Sequence, residues 1–134
     1  MPVRDPGKTS VDPLQPFVPR RVEKPWGYEL IWAENDLYVG KILHITGGHA
    51  LSLQYHRVKD ETIHVLSGNL ALEVARPEQA PQELRLSQGE SFRIVPGLRH
   101  RMIAIDDCDV LEASTPQLDD VVRLEDRYGR VASE

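Results

Sequence analysis

Four polar side chains in two short segments have the types and spacing of metal ligands. Gln54 and His56 are one residue apart in a β-like run, so their side chains point to the same face. Glu61 follows a loop of four residues and opens the next predicted strand, so a hairpin-like return brings its carboxylate towards them. His100 lies in the second segment, after a Pro-Gly turn. Two imidazoles, a carboxylate and an amide oxygen suit a divalent metal and leave coordination positions open, as a catalytic site requires.

The elements that must position these side chains are short β-rich runs, which begin after Trp26 and are separated by turn residues. The predicted strands are residues 28–32, 37–45, 50–55, 62–66, 71–75, 83–86, 91–95, 101–105 and 110–113. No long helical period interrupts them, and a short helical turn is expected only within residues 119–128. The pattern predicts an all-β fold, an antiparallel sandwich or barrel.

Residues 1–21 differ from the rest of the chain in composition. They contain five prolines and show no apolar periodicity, which predicts an extended arm that either wraps a neighbouring subunit or is loose. The chain has 134 residues, enough for one domain with one core.

Composition excludes several classes of protein. No run approaches the ~18 consecutive apolar residues of a membrane span, and residues 1–8 lack the apolar segment of a secretory signal. Cys108 is the only cysteine, so no intrachain disulfide forms and the cytoplasm is the expected location. A net charge of −5 argues against a general nucleic-acid binder but is compatible with a small anionic ligand bound by local cations.

Both ligand-bearing segments resemble the motifs of one family, the cupins. The residues that resemble the first cupin motif are Gly48, Gln54-Tyr55-His56, Glu61 and Gly68, with Gln54 where many cupins have a histidine. Those that resemble the second motif are Gly89, Gly97 and His100. The resemblance implies a single small cupin barrel, a double-stranded β-helix of the jelly-roll type.

Further segments are similar to the cupin domain of type II mannose-6-phosphate isomerases. They are Lys24-Pro25-Trp26-Gly27, Leu51-Ser52-Leu53-Gln54, Val65-Leu66-Ser67-Gly68 and the closing residues 122–130. The similarity spans about residues 22–130, which implies a cupin domain over 22–130 between the arm 1–21 and a tail 131–134. The large nucleotide-binding domain of the bifunctional members is absent, so synthesis of GDP-mannose by this chain is not expected.

The resemblance also assigns roles. It implies that Gln54, His56, Glu61 and His100 hold one divalent metal ion, with zinc the usual metal and manganese, nickel or iron as other candidates. Lys41 matches a basic residue of the isomerases, and Arg130 ends a shared Tyr-Gly-Arg tail, so both are expected to contact a sugar or sugar phosphate. The competing interpretations are a strand-edge lysine and a solvated C-terminal charge. Small cupins usually pair, which implies a homodimer.

The sequence is compatible with two kinds of function. The first is a metal-dependent isomerase that interconverts aldose and ketose. The second is a cupin that binds a carbohydrate or other small molecule without turnover, or a metal enzyme of another type such as an iron oxygenase. Residues 57–63 differ from the histidine run of the isomerases, and Glu61, once bound to metal, is not an obvious general base.

A few other residues have expected positions. His64 is three residues after Glu61 and is expected to face away from the ligands. At least one of Arg99 and Arg101 is expected near the cavity, and Trp26 is expected to plug the barrel. Cys108, beside three aspartates, is expected to have a raised thiol pKa and to be a poor nucleophile.

Overall fold

The computed structural model describes residues 14–130, and within that range it contains eleven strands and no helix. The strands are β1 Arg20–Lys24, β2 Gly27–Glu34, β3 Val39–Ile45, β4 Leu53–Tyr55, β5 Glu61–Ser67, β6 Leu70–Ala75, β7 Gln82–Leu86, β8 Ser91–Ile94, β9 Arg99–Ala104, β10 Cys108–Ser114 and β11 Val122–Glu125. The prediction of an all-β fold is confirmed. The first part of the predicted arm and the tail 131–134 lie outside the described residues.

The strands form two antiparallel sheets that face each other. The larger sheet has the order β1-β2-β3-β10-β5-β8, and the smaller has the order β11-β4-β9-β6-β7. Residues on β5 alternate between the inner face and solvent: Glu61, Ile63 and Val65 are buried, whereas Thr62 is exposed. This arrangement makes a barrel-like sandwich in which one end of the interior is apolar and the other is polar.

The apolar end is a closely packed core between the sheets. Its fully buried members include Leu43, Ile45, Ile63, Val65, Leu70, Leu72, Ile94, Met102 and Val110. Burial of each such side chain contributes roughly 1.5–3 kcal/mol before conformational entropy is subtracted. The core therefore holds the two sheets together and leaves the polar end free to carry charged groups.

Strand β1 was not predicted from the sequence. It begins at Arg20, within the residues expected to form the arm, and pairs with β2 from Arg20 opposite Ile31 to Lys24 opposite Gly27. Charged residues occupy both of its faces, and Val22 is its one apolar residue, so the usual alternation of apolar and polar residues is absent.

The helical turn expected within residues 119–128 is wrong. Val122–Glu125 form strand β11, which pairs with β4 at the edge of the smaller sheet. Partners across the sheet fix this conformation, and they cannot be read from the local sequence.

In residues 14–130 there is also no helix with the length and apolar character needed to span a membrane.

Candidate metal centre

The structure brings together three of the four side chains predicted to be metal ligands. One ligand atom from each of His56, Glu61 and His100 lies within 4.8 Å of the others. His56 Nε2 is 3.3 Å and His100 Nε2 is 3.4 Å from the same carboxylate oxygen, Glu61 Oε1. The three residues are only 1–2% exposed. The geometry is that of two imidazole nitrogens and one carboxylate oxygen around a common centre.

Three strands and two turns produce this convergence. His56 directly follows β4, Glu61 is the first residue of β5, and His100 is the second residue of β9. Strands β4 and β9 pair with Gln54 opposite His100, so the two motifs share one edge of the interior. Gly97, whose φ of 86° favours glycine, donates its N–H to the carbonyl of His56 at 2.7 Å and so joins the two ligand-bearing segments directly.

Backbone carbonyls orient both imidazoles. His56 Nδ1 is 2.6 Å from the carbonyl oxygen of Asp120, and His100 Nδ1 is 2.9 Å from that of Leu98. Because a carbonyl oxygen only accepts, each Nδ1 carries the hydrogen, and in the neutral ring Nε2 then offers a lone pair towards Glu61 Oε1. Three electron-rich atoms thus face one another in a buried site, and His100 Nε2 has no hydrogen-bond partner in the described residues. This donor set fits a divalent cation, which would complete all three interactions.

A buried lysine contacts the other oxygen of the same carboxylate. Lys59 Nζ is 3.1 Å from Glu61 Oε2 and 3.2 Å from Glu112 Oε2, and all three residues are buried. Lys59 therefore satisfies Oε2 and leaves Oε1 directed at the imidazoles, which favours binding of the metal by one oxygen.

The charges of this group shift its pKa values. Burial alone would raise the pKa of Glu61, but His100 and His56, in the form protonated at Nε2, and the charge of Lys59 hold it well below its usual value. Burial would lower the pKa of Lys59, yet Glu112 and Glu61 raise it. Burial and the neighbouring Glu61 raise the pKa of Glu112. Glu61 is thus held as a carboxylate, the form that binds metal.

Asp120 anchors the loop between the first two ligands. Its carboxylate accepts hydrogen bonds from the backbone N–H groups of Arg57, Val58 and Lys59 at 2.7–3.0 Å, and its own carbonyl accepts from His56. Burial would raise the pKa of Asp120, but the three backbone hydrogen bonds lower it to about 2. One residue therefore fixes both the loop and the orientation of His56.

Sequence reasoning missed Lys59, Glu112 and Asp120 as parts of the site. Glu112 carried a usable signal, since it lies in a predicted strand two residues from the buried Val110 and so belongs on the inner face. Lys59 lies in the loop between two predicted ligands, where its direction depends on the loop conformation. Asp120 acts mainly through backbone contacts more than 60 residues away in sequence, which no local pattern reports.

The centre opens into a cavity of about 220 Å³ between the sheets. Gln54, the fourth predicted ligand, lines this cavity, and its Oε1 accepts a hydrogen bond of 2.7 Å from Ser52 Oγ. Coordination of a metal by Gln54 stays a prediction, as does metal binding by the other three residues.

Lys41 and Arg130 also line the cavity. Lys41 is buried on β3, which lies between β2 and β10, so it is not on a strand edge; its Nζ is 3.4 Å from Glu29. Arg130 is pinned by a bidentate contact of 2.8 and 3.0 Å to Asp126, whose pKa it lowers by hydrogen bonding. Neither residue is simply a solvated charge.

The remaining sequence expectations have mixed outcomes. Arg99 and Arg101 do not line the cavity: both flank His100 in β9 and therefore share the opposite face, so the expectation that one would lie nearby is wrong. His64 points outward as predicted and contacts Ser91. Trp26 is buried in the core and also lines the cavity, so it borders the site, and its role as a plug of the barrel stays a prediction.

Cys108 has the raised thiol pKa that the sequence predicts. It is buried at the start of β10, and burial, together with the charge of Asp106, raises the pKa of its thiol to about 11. Its weakness as a nucleophile stays a prediction that this pKa supports.

The chain is similar in sequence to known proteins over most of its length. Mannose-1-phosphate guanylyltransferase ManC of Salmonella typhimurium is 36% identical over 118 residues, which are 84% of this chain and 23% of that protein. Xanthan biosynthesis protein XanB of Xanthomonas campestris is 35% identical over 117 residues, 83% of this chain and 24% of that protein. The chain thus spans about a quarter of the length of these relatives.

Solved structures share the fold at low sequence identity. The oxalate decarboxylase of Bacillus subtilis superposes with a TM-score of 0.71 at 12% identity, covering 81% of this chain and 31% of that one. KdgF from Halomonas sp. superposes with a TM-score of 0.63 at 21% identity, covering 72% of this chain and 84% of that one. Finally, residues 41–113, more than half of the chain, match the profile of the Cupin domain. The chain is a member of the cupin family.

Proposed function

We propose that this cupin is a metal-dependent isomerase that interconverts the aldose and ketose forms of a sugar or sugar phosphate. The observation that carries the proposal is the convergence of His56 Nε2, His100 Nε2 and Glu61 Oε1 at the edge of a cavity that is also lined by several cations. The similarity to a mannose-1-phosphate guanylyltransferase and to a xanthan biosynthesis protein supports a sugar phosphate as the ligand.

In this proposal Gln54, His56, Glu61 and His100 hold one divalent ion, with zinc the first candidate and manganese, nickel or iron the others. When bound, such an ion supplies Lewis-acid polarisation of a carbonyl and its adjacent hydroxyl, the chemistry that proton transfer between neighbouring carbons needs. Lys41 and Arg130 bind and orient the substrate from the cavity wall. The core and Trp26 exclude water from the inner end of the site.

The residues that differ from the isomerases are divided between the surface and the interior. Of residues 57–63, Arg57, Val58 and Thr62 are exposed and do not line the cavity, whereas Lys59 is buried and lines it. The altered segment thus places a cation beside the carboxylate ligand Glu61, where it is close to a bound substrate.

The test is turnover. Zinc-loaded protein is incubated with mannose 6-phosphate, and formation of fructose 6-phosphate is followed by NMR, with His100→Ala as the matched control. The proposal expects product with the parent protein and none with the variant. Bound metal without product would favour the ligand-binding or oxygenase alternatives over the isomerase.

Three accompanying proposals are separate from turnover. The ligand is a small molecule, the protein is cytoplasmic, and it forms a homodimer. Analytical ultracentrifugation measures the last of these, and a monomer at micromolar concentration would contradict it.

A further inference from the structure

The cations of the cavity differ in whether they have a carboxylate partner. The basic residues that line it are Arg20, Lys24, Lys41, Lys59, Arg123 and Arg130. Ion pairs join Arg20 to Glu34, Lys41 to Glu29, Lys59 to Glu61 and Glu112, and Arg130 to Asp126. Lys24, in contrast, forms no ion pair with any residue in the described range 14–130.

The fold directs this unpaired ammonium group inward. On β1, Arg20, Val22 and Lys24 share the face that lines the cavity, while Arg21 and Glu23 are exposed on the other. Lys24 is partly buried, and burial lowers the pKa of its ammonium group. Glu29 opposes this shift, but the charges of three further cations, Lys41, Arg130 and Arg123, lower the pKa too.

Lys24 therefore adds to this part of the wall a positive charge that no ion pair offsets in the described residues. A partly buried cation near other cations is stabilised by an anion that joins it. Arg130 can help to bind such an anion, because its contact with Asp126 uses Nε and Nη2 and leaves Nη1 outside the contact.

Strand register connects this region to the metal centre. In the smaller sheet Arg123 is paired with Gln54, and Gln54 is paired with His100, so the three lie in one row across β11, β4 and β9. Arg123 in turn is among the charges that act on Lys24. One ligand that occupies the cavity can therefore meet the metal ligands and the cationic wall together.

We propose that Lys24 is the anchor of an anion subsite that binds a phosphoryl group, with Lys41 and Arg130 at its sides. A phosphoryl dianion matches a site with several cations better than a carboxylate, which has one charge. The identification of that group as part of a sugar phosphate rests on the proposed function, whereas the anion subsite itself does not.

The experiment measures binding of inorganic phosphate to the zinc-loaded protein by isothermal titration calorimetry. Lys24→Met removes the charge at similar length, Lys24→Arg keeps it, and Arg21→Met is the matched control on the exposed face of the same strand. Lys24→Met is expected to weaken phosphate binding about 10- to 100-fold, with Lys24→Arg close to the parent and Arg21→Met unchanged. Equal binding by the parent and Lys24→Met, or no binding by the parent at millimolar phosphate, would overturn the proposal.

A second arm separates this subsite from the isomerase proposal and distinguishes a sugar-borne phosphoryl group from free phosphate. Mannose 6-phosphate is expected to lose affinity in Lys24→Met, whereas mannose is not. Phosphate binding that depends on Lys24, without turnover, would support the subsite and count against the isomerase. Turnover of mannose 6-phosphate with the same KM in Lys24→Met and the parent would support the isomerase and overturn the subsite.

Discussion

Lys59 Nζ lies 3.1 Å from Glu61 Oε2, so the buried ammonium group holds one oxygen of the carboxylate whose other oxygen faces two imidazoles. The same ammonium group reaches Glu112 at 3.2 Å. Without metal, the buried group comprises two carboxylates, one ammonium and two imidazoles. Lys59 therefore both compensates buried negative charge and orients the ligand.

Removal of Lys59 is expected to destabilise the metal-free protein strongly. Lys59→Met leaves Glu61 and Glu112 buried without their cation, and breaking a buried ion pair in this way costs roughly 3–5 kcal/mol. Urea unfolding of metal-free protein measures the decrease in the free energy of unfolding, with the exposed Arg57→Met as control. The double variant Lys59→Met with Glu112→Gln is expected to recover part of it, since one carboxylate is then neutral. A change in the free energy of unfolding below about 0.5 kcal/mol, as for an ordinary surface substitution, would show that the ion pair does not stabilise the fold.

Asp120→Asn is expected to loosen the metal site while the ligands stay in place. The neutral amide is a weaker acceptor for the three backbone N–H groups of the loop that carries Lys59 and precedes Glu61. Loss of such support around ligands typically lowers metal affinity about 10- to 100-fold. Competition with a chelator measures the affinity, and the neighbouring Asp119→Asn serves as control. Identical metal affinities for the two variants would show that Asp120 does not support the metal site.

The thiol of Cys108 is expected to resist alkylation in the folded protein. With a pKa of about 11, against an unfolded value near 8.5, the thiolate fraction at pH 8 is about 200-fold smaller in the native state. Because the folded pKa is raised, reactivity should appear only as the pH approaches that value. Iodoacetamide labelling followed by mass spectrometry, native against urea-unfolded, measures this. Rapid labelling of native protein at pH 8 would contradict the burial of this residue.

Metal removal is expected to lower the melting temperature. A ligand at 100 times its Kd stabilises the native state by about 2.7 kcal/mol, which for a domain of this size corresponds to roughly 10 °C. Differential scanning calorimetry with and without excess zinc tests this, and His56→Ala is the control that should show no shift. An equal shift in parent and variant would place zinc elsewhere on the molecule.

The strands could be predicted because they depend on local information, whereas the convergence of His100 with His56 and Glu61 was implied by the resemblance to the cupins. Period-two alternation and turn residues mark strands such as β5 and β6, and the close spacing of His56 and Glu61 fits a loop between neighbouring strands. The positions of these strands do not depend on their pairing register, provided that the register buries the apolar face.

The parts that were missed depend on contacts between distant strands. Lys59 and Asp120 act through partners that only the closed barrel brings near, and the isolation of Lys24 is a property of its surroundings, not of its type. For the same reason the local sequence does not predict β11, because its partner, β4, is about 70 residues earlier in the chain.

Metal content decides whether His56, Glu61 and His100 hold one divalent metal ion. Parent protein, His56→Ala and His100→Ala are incubated with excess zinc, desalted and measured by inductively coupled plasma mass spectrometry, with circular dichroism to confirm the β-fold. One metal per chain is expected in the parent and none in either folded variant. A parent protein without metal, or two folded variants that retain it, would rule out this metal site.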